Sequence, residues 1–67
     1  MIRNDQELAV TQERITYFER LLAQLRVTAR PEEFRAVASG YRAEVETMQQ
    51  EVLNYLTRHA SVPASAG

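Results

Sequence analysis

The chain has 67 residues, 45% hydrophobic and 25% charged, a balance that suits a foldable chain and leaves room for no more than one small domain. A net charge of −1 leaves no broad basic face to neutralise phosphates, and the absence of cysteine rules out a disulfide staple. A domain of roughly 60 residues buries only about 60% of the surface its unfolded chain exposes, so the missing burial is expected from another chain.

No apolar run approaches the roughly 20 residues of a membrane span. The segment Met1-Ile2-Arg3-Asn4-Asp5 lacks the apolar core of a signal peptide, which makes the cytoplasm the expected location. A first helix is predicted near residues 5 to 27. Asn4 is a good N-cap, and Glu7 stands where a capping-box carboxylate can reach back to the cap's own N–H. Leu8, Ile15 and Leu22 repeat every seven residues and interleave with Thr11, Phe18 and Leu25, the seam of a helix and not the alternation of a strand. The β-branched pair Val27-Thr28 and then Pro31 end it, because proline disfavours helical geometry in the residue before it.

Pro31 suits the first position of a second helix, and Glu32 and Glu33 place negative charge at its N-terminus. Its seam runs Phe34, Tyr41, Met48 and Tyr55, interleaved with Ala38, Val45, Val52 and His59, so the helix is predicted over 31 to 59. The small residues Ala36, Ala38, Gly40 and Ala43 suggest close approach of another helix, since an interior glycine otherwise costs about 1 kcal/mol relative to alanine. A short connection makes consecutive helices antiparallel neighbours. Arg26 and Arg30 would then lie near Glu32 and Glu33, with Asp5 and Glu7 opposite Arg58 and His59. The expected architecture is an all-α antiparallel two-helix hairpin over residues 1–59, dimerising into a four-helix bundle, with residues 60–67 as a disordered tail.

Nothing in the pattern provides for catalysis, a cofactor or a metal. His59 is the only histidine and continues a packing seam. Glu44, Glu46 and Glu51 do not all share one helical face, and no Glu is followed by His three residues later as di-iron bundles require. Tyr41 and Tyr55 occupy seam positions without a basic groove, which reads as core and not as a base-stacking platform.

The informative excess is apolar surface beyond the seams. Val10, Tyr17 and Leu21 widen the apolar arc of the first helix, and Leu53 and Leu56 that of the second. Ile2, Val10, Leu53 and Leu56 are expected to gather as a patch at the open end of the hairpin. Such surface either completes a homodimer or receives a different protein. With aromatic and arginine anchors dominating interfaces, the partner-binding candidates are Arg14, Tyr17, Arg20, Leu21, Leu53 and Leu56.

The runs Arg14-Ile15-Thr16-Tyr17-Phe18, Leu22-Ala23-Gln24-Leu25-Arg26, Ser39-Gly40-Tyr41-Arg42-Ala43-Glu44 and Met48-Gln49-Gln50-Glu51-Val52-Leu53-Asn54-Tyr55-Leu56 resemble the helical segment of antitoxins from bacterial Hig-type toxin–antitoxin modules. The similarity covers about residues 2 to 59. It implies a bacterial, cytoplasmic regulatory subunit that binds a toxin-like protein through its helices. The helix-turn-helix DNA-binding domain such antitoxins ordinarily carry does not appear in these residues. A purely structural oligomerisation element is the alternative reading, and a nucleic-acid-associated regulator a weaker one.

Overall fold

The computed structural model describes residues 1–59; the expected disordered tail, 60–67, lies outside the described residues. Two helices, α1 (Asp5–Thr28) and α2 (Pro31–Leu56), make up the fold, with no strand among the described residues. At about 1.5 Å per residue, their 24 and 26 residues give rods of roughly 36 and 39 Å.

The start of α1 is fixed by Asn4, whose Oδ1 accepts the Glu7 N–H at 2.8 Å. The Glu7 carboxylate reaches back one residue further than a capping box would place it, accepting the Arg3 N–H at 2.8 Å. At the other end the backbone becomes extended for only two residues, Ala29 and Arg30. The Ala29 N–H still donates to Leu25 O, while Arg30 O already accepts the Phe34 N–H of the next helix. Pro31 occupies the first turn of α2, where its missing N–H leaves no helical bond unmade.

So short a link returns the chain alongside itself. The Phe18 and Tyr41 rings lie 5.4 Å apart at mid-length, and Tyr55 meets Asp5 at the far end, so progress along α1 runs backwards along α2. The two seams meet as the sequence periodicity requires: Leu8, Thr11, Ile15, Phe18, Leu22 and Leu25 are all partly buried, facing Phe34, Ala38, Tyr41, Val45, Met48, Val52 and Tyr55.

Burial within the hairpin is thin. Among the described residues only Ile2, Val45 and Met48 are buried, and α1 contributes no buried residue of its own. The principal dimensions are 48 × 18 × 13 Å, so the molecule is one helix thick.

Two expectations need correction. Helix α2 ends at Leu56 and not at residue 59, and His59 is exposed outside the helix instead of continuing the seam. Ile2 is 5% exposed, folded in beside Met48 and Glu51 and absent from any open patch. A Cβ built on Gly40 would meet nothing within 4 Å, so α1 makes no close approach there and the hairpin leaves the position open.

Candidate interaction surfaces

Helical geometry decides which of the apolar residues beyond the seam can act together. Residues Glu7, Arg14, Met48 and Glu51 line one shallow groove that Ile2 enters, so the flank of α1 carrying Glu7 and Arg14 lies on the same side of the hairpin as the flank of α2 carrying Glu51. A residue advances about 100° around a helix. Tyr17 and Leu21 therefore share the flank of Arg14, as does Val10, which lines that same groove. On α2 the seven-residue series Val37, Glu44 and Glu51 shares that side, and Gly40 points outward from it.

Leu53 and Leu56 lie about 200° and 140° around α2 from Glu51, on the opposite side. The expected patch joining Val10 to Leu53 and Leu56 does not form. The structure has two separate apolar faces instead.

The first face carries Val10 (52% exposed), Tyr17 (62%), Leu21 (half-buried) and Val37 (42%). Tyr17 is held at its inner edge by an edge-on contact with Phe18, ring centres 5.5 Å apart, which leaves the rest of the ring in water. Arg14 and Glu44 are both exposed on this face, and neither forms an ion pair with a described residue. Near the helix ends, the amino group of Met1 pairs with Glu51 at 2.8 Å.

The second face carries charge beside its apolar residues. Arg42 and Glu46 pair there at 2.7 Å, a contact that holds the guanidinium pKa above its ordinary value, first through the hydrogen bond and then through the charge of Glu46. Both groups are exposed, so the pair orders the surface more than it stabilises the fold. Apolar area on this face is confined to its end, at Leu53 and Leu56, each 55% exposed.

Arg20 belongs to neither face. It lines a shallow depression with Ala9, Gln12, Glu13, Thr16 and Tyr17, on the side of α1 turned away from α2. Of the six candidates from the sequence, the geometry thus unites Arg14, Tyr17 and Leu21, separates Leu53 and Leu56, and leaves Arg20 outside. Val37, Gly40 and Glu44 were not among them; the seven-residue spacing of Val37, Glu44 and Glu51 is the signal that finds the first and last.

The charges expected at the turn make no described ion pair: Arg26 and Arg30 are within 4 Å of neither Glu32 nor Glu33. At the open end Asp5 takes a hydrogen bond from Tyr55. No group of three or more metal-ligating side chains occurs among the described residues, and no described helix is long and apolar enough to cross a membrane.

A single-layer helical hairpin with two exposed apolar faces is the class of protein this geometry defines. No family model, curated protein or solved structure matches the chain.

Proposed function

We propose that this protein is a non-enzymatic interaction module, a hairpin that dimerises into a four-helix bundle and then offers a separate apolar site to another protein. The observation that carries the reading is the 13 Å thickness of the fold. A stable domain packs two layers of secondary structure around one core, and the described residues supply a single layer with three buried side chains. A second hairpin supplies the missing layer.

The division of the apolar surface supports two uses. One face extends along much of the hairpin and suits self-association, while Leu53 and Leu56 form a compact anchor pair on the other side. The resemblance to Hig-type antitoxins gives this second site a toxin-like occupant and the chain a regulatory role in the bacterial cytoplasm.

Co-expression with the product of the adjacent gene, followed by co-purification and mass measurement, tests the reading. Wild-type protein should form a complex containing a dimer, and the double variant Leu53→Gln, Leu56→Gln should lose the partner while remaining dimeric. A stable dimer that captures nothing assigns the chain to the alternative, a purely structural oligomerisation element. A monomer that binds nothing overturns both.

A further inference from the structure

The dimer reading leaves open which surface the two copies share. We propose that the second copy docks on the face of Arg14, Tyr17 and Leu21, with its two-fold axis parallel to the helices, so that each α1 lies across the α2 of its partner; this rests on the chain being a dimer.

The argument begins with register. In the hairpin Phe18 is level with Tyr41, and Asp5 with Tyr55. A two-fold axis along the helices preserves those levels while exchanging the helices, so each residue of α1 faces the part of the partner's α2 that it already accompanies in its own chain. Along α1 the face presents Arg14, then Tyr17 three residues later, then Leu21 after four more. Along α2, read in the opposite direction, it presents Glu44, then Gly40 after four residues, then Val37 after three. Three juxtapositions follow in one register: Arg14 with Glu44, Tyr17 with Gly40, and Leu21 with Val37. By symmetry each occurs twice.

Each juxtaposition answers something the single chain leaves unmet. Arg14 and Glu44 carry opposite charges that pair with no described residue of their own chain. Tyr17 has most of its ring in water, and an aromatic anchor needs a recess to enter. Gly40 provides that recess, being a helix-interior glycine with open space beyond its Cα and no role inside the hairpin. Leu21 and Val37 bring apolar area to the same strip. The opposite face has no comparable strip, since Arg42 and Glu46 already satisfy one another there and apolar area is limited to its end.

The test is a charge swap read by sedimentation equilibrium on the full chain, with circular dichroism to confirm helix content. Arg14→Glu and Glu44→Arg should each raise the dimer Kd by about tenfold or more, and the double variant should restore much of the loss. Gly40→Gln should also dissociate the dimer, because the new side chain meets nothing within the hairpin itself and blocks Tyr17 of the second copy. Leu53→Gln should leave the dimer intact. A wild-type dimer unaffected by these changes overturns the proposed face while leaving the dimer reading standing. Single swaps that weaken association without rescue by the double variant also overturn it, because they deny the pairing of Arg14 with Glu44. A wild-type monomer overturns both the face and the dimer.

Discussion

The Tyr55 hydroxyl donates a 2.6 Å hydrogen bond to Asp5 Oδ1, tying the last turn of α2 to the first turn of α1 at the end of the hairpin opposite its covalent link. The turn of Ala29 and Arg30 closes one end of the molecule by connectivity. Tyr55 and Asp5 close the other by chemistry, beside buried Ile2.

This latch makes stability depend on alkaline pH. The hydrogen bond to Asp5, then desolvation, then the negative charge of Asp5 raise the Tyr55 pKa above its ordinary value of 10.0. A raised pKa in the folded state means that the stabilising contribution is fully present below the unfolded pKa and is lost as pH rises through the folded one. Thermal melts should therefore show no contribution from this group to pH dependence around neutrality. Above about pH 10 the wild type should lose a component of stability that Tyr55→Phe lacks, and hydrogen exchange at residues 5–8 should already be faster in that variant at neutral pH. Identical alkaline profiles for the two proteins would show that the latch contributes nothing.

The N-cap is a second separable contribution. Asn4→Ala removes the acceptor for the Glu7 N–H and should cost about 1 kcal/mol, measured by urea denaturation. An unchanged midpoint would mean that the bond from Arg3 to Glu7 holds the first turn unaided.

Met48 is one of three buried side chains among the described residues, none of which forms a second layer behind it. Met48→Ala should cost at least about 2 kcal/mol, a large part of the 5–15 kcal/mol typical of small domains. Loss of a cooperative melt is the expected observation at low protein concentration.

Gly40→Ala should act in the other direction. The added methyl group meets nothing in the hairpin, and the gain in helix propensity is up to about 1 kcal/mol. Helix content should rise under conditions where the hairpin is partly unfolded. A fall would show that the space beyond Gly40 is filled, as docking of Tyr17 from a second copy requires, since the glycine has no positive φ to preserve.

Much of the fold was legible because it is local. Asn4, Pro31 and the two interleaved seams are signals within a few residues of the structure they specify, and the helix starts at Asp5 and Pro31 follow from them. The end of α2 was not legible. The apolar phase continues in the letters through His59, but the chain turns at Thr57, whose hydroxyl donates back to Leu53 O at 2.7 Å and whose backbone leaves helical geometry without a glycine or proline to mark it. Ile2 was misread because a residue ahead of an N-cap has no period to place it; its burial depends on the chain folding back beside Met48 and Glu51.

The candidate surface was half legible. Tyr17, Leu21, Leu53 and Leu56 stand out as apolar residues off the seam, yet which of them share a face depends on how the two helices are turned towards one another. Seam spacing gives each helix its own buried stripe. Only the groove joining Glu7 and Arg14 to Glu51 shows which flank of α1 adjoins which flank of α2.

The central claim is that this chain completes its core with a second copy of itself, and the most direct test is the mass in solution across a concentration series. Sedimentation equilibrium of the wild type should give twice the 7.7 kDa chain mass at micromolar concentration, with helix content and cooperativity falling together as dilution separates the copies. A 7.7 kDa species that melts cooperatively and independently of concentration would contradict it, because a one-layer hairpin would then be stable alone.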